Sequence, residues 1–235
     1  INSLHFLNTA EVFFILSGKW RFFWGINGDA GEVILQKGDL INIPTRVFRG
    51  FENVGTDYAM IMAILGGDDS GGGVEWAPHV LETAKSHGLT LSESGVLYDT
   101  KKGQMLPADE QPMAQLSAQQ LAQINETPVH QIVPDYVARY WDMMALARDE
   151  PCPVIGETFL IKDKPGFEVE LLTRGSITCQ AYVNPQHEVL MVVCGHWRLT
   201  WGDNEVVLNP GDTCWIPPNL SHGLEVCVSG EASLY

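Results

Sequence analysis

Positive charge is what this sequence has least of. Lysine and arginine together number 14 against 29 aspartates and glutamates, a net charge of -15 at pH 7. Holding a phosphate backbone or an anionic membrane surface takes clustered Lys and Arg, so the balance argues against nucleic acid and membrane as partners. Neither a signal-peptide pattern nor an apolar run long enough to span a bilayer is read in these residues, and the expected compartment is the cytoplasm. Cysteine is also sparse: there are five, an odd number, with no C-x2-C pair to suggest a zinc cluster. Cys179, Cys194, Cys214 and Cys227 fall in segments that read as strands, where the expectation is small buried core residues in a reducing compartment. Apolar material is not lacking. At 235 residues and 45% hydrophobic content the chain can fill two cores.

Those two cores are written as an internal repeat. Glu11, Val12, Gly18, Trp20, Arg21, Trp24 and Gly25 fall opposite Glu188, Val189, Gly195, Trp197, Arg198, Trp201 and Gly202 without a gap. After a loop that is longer in the first copy, Val33, Leu35, Gly38, Asp39, Ile43 and Pro44 meet Val206, Leu208, Gly211, Asp212, Ile216 and Pro217. The separation is far above a solenoid period and indicates two small domains. Within each copy, short runs rich in Val, Ile, Phe, Trp and Thr are cut by Gly, Asn, Asp and Pro, the pattern of antiparallel strands closing into a barrel or sandwich. EVFFILSGKWRFFWG reads as strand, tight turn at Ser17 and Gly18, strand, and EVLMVVCGHWRLTWG reads the same way.

Both copies resemble the cupin family, whose motifs are H-x-H-x(3,4)-E-x6-G and G-x5-P-x-G-x2-H-x3-N. Glu188 and Gly195 keep the first spacing in the second copy, and Gly211, Pro217 and His222 keep the second. Glu11, Gly18, Gly38, Pro44 and Asn53 are the matching residues of the first copy. The resemblance implies an all-β protein of two cupin-type antiparallel barrels, or jelly rolls, with a partly helical connector. The expected division is residues 1–65 for the first barrel, 66–154 for the linker and connector, and 155–235 for the second barrel. The sequence begins without Met, inside the first motif, and stops at Tyr235, where the first copy continues into Ala59–Ala63. Each barrel is therefore expected to lack strands at one end, as in a piece of a longer protein.

Metal-binding cupins offer two histidines and a glutamate from the first motif and a third histidine from the second. In the first copy His5 and Glu11 match, but Leu7 and Arg49 stand in the other two places. An Arg49 to Glu11 ion pair would fill that site, and the barrel is expected to be metal-free. In the second copy Glu188 and His222 match, while Tyr182 and Asn184 stand where the two histidines would be. Side chains two apart share a strand face, so Asn184 is expected to point inward with Glu188, and His187 outward. A slip at Pro185 would bring His187 inside as a second-rank ligand. The candidate metal residues are thus Glu188, His222, Asn184 and His187, for Fe, Mn, Ni or Zn. The candidate catalytic residues are Tyr182, Glu188 and His222, with Tyr182 as acid or base, its phenol titrating lower near a metal.

Between the barrels, GGDDSGGG at 66–73 reads as a linker in preference to a calcium or phosphate loop. PHVLETAKSHG reads as a helix with Pro78 in its first turn, Val80, Leu81 and Ala84 on one side, and Gly88 as its stop. Ser117 and Gln120 form a capping box for SAQQLAQI. In VPDYVARYWDMMALARD, Asp135 is the expected N-cap, and Val137, Tyr140, Trp141, Met144 and Leu146 the apolar side. Trp20, Arg21 and Trp24, with Trp197, Arg198 and Trp201, allow either a stacking site for a planar or carboxylated ligand or, preferred, a domain or subunit interface.

Three functions are open at this point. One is a metal-dependent oxygenase or lyase acting on a small organic molecule, the resemblance including quercetin, gentisate and oxalate enzymes. The second is a metal-free binding or scaffold protein, and the third a metal-independent isomerase or epimerase. The expected assembly is a homodimer.

Overall fold

The computed structural model describes residues 2–66, 73–124, 128–157, 159–161 and 166–235. Most of the linker expected at 66–73 lies outside the described residues. The first barrel is built from β1 (Asn2–Phe6), β2 (Glu11–Ser17), β3 (Lys19–Trp24), β4 (Gly31–Gln36), β5 (Leu40–Ile43), β6 (Arg49–Asn53) and β7 (Met60–Leu65). The connector adds β8 (Glu75–Trp76), α1 (Pro78–Ser86), β9 (Leu89–Leu91), β10 (Leu97–Asp99), α2 (Ala118–Leu121), α3 (Val129–Tyr136), β11 (Val137–Ala138) and α4 (Tyr140–Leu146). The second barrel contains β12 (Cys152–Ile155), β13 (Val169–Thr173), β14 (Glu188–Cys194), β15 (Trp197–Trp201), β16 (Asn204–Leu208), β17 (Thr213–Ile216), β18 (Gly223–Val226) and β19 (Ser233–Leu234).

The sheets face each other in pairs. In the first barrel the order β4-β3-β6-β1-β8 faces β11-β5-β2-β7, and in the second β16-β15-β18 faces β12-β13-β19-β14-β17. All the named strand pairings are antiparallel, and the repeat is visible in their register: Glu11 sits opposite Ile43 as Glu188 sits opposite Ile216. The tight turn between β2 and β3 recurs between β14 and β15. Gly18 and Gly195 both have positive φ, and an added Cβ would fall 2.2 Å from the Ala59 side chain and 2.7 Å from that of Ala232. Only glycine satisfies both the left-handed backbone and the close approach.

Strand alternation sorts the side chains into separate cores. Phe13, Ile15, Phe22, Trp24, Val33, Leu35, Ile41 and Ile43 fill the first barrel. Leu190, Val192, Trp197, Leu199, Leu208, Ile216, Leu224 and Leu234 fill the second. A third core joins the barrels: Val12, Phe14 and Leu40 meet Val169, Leu171, Met191 and Val193, with Tyr140, Met143 and Ala147 of the α4 region between them. The buried Tyr235 hydroxyl donates to the Gly38 carbonyl at 2.6 Å, tying the second barrel to the first.

The connector departs from expectation in places. Helix α1 forms as expected, with Val80, Leu81 and Ala84 half-buried, and α2 carries the Ser117 and Gln120 capping box. Asp135, however, lies inside α3 rather than capping a helix, because Val137–Ala138 leaves the helix to pair with β5. The last helix then starts after Arg139 and buries Tyr140 and Met143, leaving Trp141 63% and Leu146 58% exposed. Cysteine burial is corrected too: Cys152 is the buried one, Cys179 is exposed and lies in a bend, and Cys194, Cys214 and Cys227 are half-buried. Among the described residues, no helix is long and apolar enough to cross a membrane.

Candidate functional site

Each barrel places the same three repeat positions together. In the first, His5 of β1 pairs with Arg49 of β6, and Glu11 opens β2 beside them. All three are buried. The Arg49 guanidinium donates to Glu11 Oε2 in a short charge-assisted bond, and its Nη1 reaches the His5 carbonyl at 3.5 Å. The expected ion pair is therefore formed. His5 Nδ1 donates to the Ser3 carbonyl at 2.7 Å. Burial pushes the His5 pKa down, more than the Ser3 bond raises it, and the Arg49 charge lowers it further. A neutral imidazole is thus packed against a closed ion pair.

In the second barrel Tyr182 and His222 exchange backbone hydrogen bonds at 2.8 and 3.0 Å, reproducing the His5 to Arg49 register. Their rings lie 4.2 Å apart. The Tyr182 hydroxyl donates to Glu188 Oε1 at 2.7 Å, and Asn184 Nδ2 donates to Glu188 Oε2 at 3.3 Å. His222 is 1% exposed, and its Nδ1 donates to the Leu220 carbonyl at 2.9 Å. A carbonyl can only accept, so that nitrogen holds a proton. The other ring nitrogen, Nε2, is buried without a hydrogen-bond partner and faces Glu188 Oε2 across 3.5 Å. A neutral imidazole in this pose would turn its lone pair on a carboxylate. The geometry therefore asks for a positive charge between them, either a proton on Nε2 or a metal ion.

The donors available to a metal are fewer than the sequence offered. Glu188 and His222 face one another and fit as a ligand pair. Asn184 does point inward, but its Oδ1 already accepts from the Gln186 backbone at 2.9 Å and its amide nitrogen is the atom turned to Glu188. His187 points away from the cluster, stacked on Trp215 with ring centroids 5.6 Å apart and its Nδ1 accepting from the indole at 3.2 Å. Among the described residues no three His, Cys, Asp or Glu side chains gather to hold an ion. Burial, then the hydrogen bond to Glu188 and the charges of Glu188 and Glu170, push the Tyr182 pKa well up. The phenol stays protonated, a donor that orients Glu188, rather than titrating lower.

Glu170 is a further carboxylate near the cluster that no motif marks. Its neighbours in β13 alternate: Leu171 joins the core between the barrels and Leu172 packs inside the second barrel, so Glu170 shares the inward face. Its side chain remains exposed, so desolvation is partial; that desolvation, then the charges of Glu168 and Glu188, raise its pKa. Strand alternation around Leu172 is the signal that would have found it.

The Trp and Arg side chains of each triplet do not come together as a Trp-Arg stacking site, and they do not form the joint between the barrels. Trp24 and Trp197 are wholly buried within their own barrels, with Trp20 and Trp201 packed beside them. Arg21 points to the opposite face, bound to Glu32 and Glu52, each at 2.7 Å, and Arg198 is bound to Glu225 at 3.2 Å.

With this geometry in hand, residues 168–235 match the cupin domain family. The whole chain superposes on solved two-barrel oxalate decarboxylases. A Bacillus subtilis oxalate decarboxylase variant aligns with a TM-score of 0.55 and 17% identity over 99% of this chain and 64% of its own. A second structure of that enzyme, described by its Mn(II) centres, aligns at 0.54 and 17% over the same shares. A Lactobacillus farciminis oxalate decarboxylase in complex with formate aligns at 0.56 and 14% over 99% of this chain and 71% of its own. No curated protein matches the sequence. The protein has the two-barrel cupin fold, its second barrel matches the cupin domain family, and the chain spans 64% of the length of the B. subtilis enzyme.

Proposed function

We propose that this is a small-molecule bicupin whose working site is the barrel at 155–235, and that its activity is that of a metal-dependent lyase or a related oxygenase. The barrel at 1–65 would serve as its metal-free partner. The observation that carries the reading is the buried, unpartnered His222 Nε2 aimed at Glu188 Oε2. Glu188 and His222 would hold the ion, which when bound supplies a Lewis acid for a substrate carboxyl or carbonyl oxygen. The remaining residues prepare that pair. The Leu220 carbonyl fixes the imidazole tautomer, the Tyr182 hydroxyl and Asn184 amide fix the carboxylate, and the Tyr182 ring covers one side of His222. Outer hydrogen bonds of this kind orient ligands and tune their basicity. Tyr182 is 38% exposed and marks the side from which a small organic substrate would enter. The likeness to manganese-containing oxalate decarboxylases supports a divalent metal and a small carboxylic acid as the first substrates to test. We also propose a homodimer as the assembly and the cytoplasm as its place.

The same gap supports a second reading in which the positive charge is a proton. Glu188 and His222 would then be an acid and base pair for isomerase or epimerase chemistry, or a buried ion pair in a binding protein. Elemental analysis of the purified protein beside Glu188→Gln and His222→Ala separates the two. Near-stoichiometric Mn, Fe, Ni or Zn that disappears in both variants is the expected result. Protein that stays metal-free after reconstitution would overturn the metal reading and leave proton transfer.

A further inference from the structure

The mouth of the first barrel has its own cavity, of about 440 Å³, lined by Asn2, Ser3, Trp20, Phe51 and Trp76. Four adjacent strands bring these residues together, since β3, β6, β1 and β8 are consecutive in the sheet. The three aromatic rings are half-buried. Trp20 and Phe51 meet at an interplanar angle of 66° with centroids 6.0 Å apart. That is an edge-to-face pair, and with Trp76 it makes the lining of the cavity largely aromatic.

Charge bears on the choice of ligand. Among the described residues no charged one lines the cavity, and the polar residues of its lining are Asn2 and Ser3. Two cationic candidates of the same barrel are disarmed. His5, packed on Trp76 at 5.3 Å, is held neutral by burial, and Arg49 is closed on Glu11. A chain of net charge -15 draws cations to its surface, and aromatic faces attract them at contact.

We infer that Trp20, Phe51 and Trp76 form a cation–π site for a small alkylated ammonium ion. This site is separate from Glu188 and His222 and does not depend on the function proposed for them.

Choline is the probe, and 3,3-dimethylbutan-1-ol, its neutral isostere, the control. Binding is followed by tryptophan fluorescence and by saturation transfer from protein to ligand protons. Saturable choline binding is expected, with the isostere roughly tenfold weaker. Trp76→Leu and Phe51→Leu should each weaken choline roughly fivefold, while Glu188→Gln leaves it unchanged. Trp20 packs against the barrel core, so Trp76→Leu is the primary variant, with its thermal unfolding recorded to establish that it folds. Equal binding of the isostere, no saturable choline binding, or choline affinity that survives both aromatic variants would overturn the assignment. A loss caused by Glu188→Gln would place the ligand in the other barrel and overturn it as well.

Discussion

The two barrels answer the same electrostatic problem differently. Each places a glutamate at the start of an inner strand, Glu11 in one and Glu188 in the other, opposite a cross-strand pair, His5 with Arg49 and Tyr182 with His222. The first barrel supplies its counter-charge covalently: the Arg49 guanidinium cannot lose its proton, and it closes the site. The second replaces it with an imidazole whose free nitrogen faces the carboxylate without a partner. In the first barrel the Arg49 charge thus occupies the place that, in the site proposed for the second, a metal or proton would fill.

The largest expected effect tests that closure. Glu11→Gln leaves the Arg49 charge buried and unpaired, and should cost about 3–5 kcal/mol of unfolding free energy in a denaturant titration. Glu188→Gln, at a side chain still 17% exposed whose hydrogen-bond donors, Tyr182 and Asn184, are neutral, should cost about 1 kcal/mol in metal-free protein. Equal costs would break the comparison. Next comes Tyr182→Phe, which deletes the hydroxyl that orients Glu188. Calorimetric zinc binding should weaken about 10- to 100-fold while the fold remains. Unchanged affinity would remove Tyr182 from the site.

The pH dependence also separates the barrels. Burial depresses the His5 pKa, so at low pH the unfolded chain takes up a proton that the folded one resists. Stability from this residue is complete above the ordinary imidazole value of about 6.5 and is lost as pH falls below it. His5→Gln should flatten that acid limb, as read by thermal unfolding between pH 7 and pH 5. The smallest effect is expected at His187, outside the cluster. His187→Ala should leave metal content unchanged and stability within about 0.5 kcal/mol.

How much of this was legible in the sequence follows from what a repeat can show. Two copies of the same spacing reveal fold, register and face, because strand geometry converts position directly into direction. Hence the turn at Gly18 and Gly195, the Arg49 to Glu11 pair, and the inward Asn184 beside an outward His187 could all be read in advance. Alternation also separates Trp20 and Trp24 from Arg21, so the stacked triplet was avoidable. Other features depend on neighbours outside the repeat. Nothing in Asn184 says that Gln186 will engage its oxygen, and nothing in Asp135 says that Val137 will leave the helix to pair with β5. The Tyr182 pKa depends on burial and on Glu170, which comes from a strand with no motif. The connector, having no second copy, was the least readable part.

The most direct test of the account is nitrogen-resolved NMR of the histidine side chains during a Zn²⁺ titration. His222 Nε2 should shift on addition of about one equivalent, as expected for a direct ligand, with Nδ1 still protonated and the His5 signals unmoved. Titration in which His222 stays silent, or in which His5 responds equally, would contradict the claim that one barrel carries its own positive charge and the other recruits it.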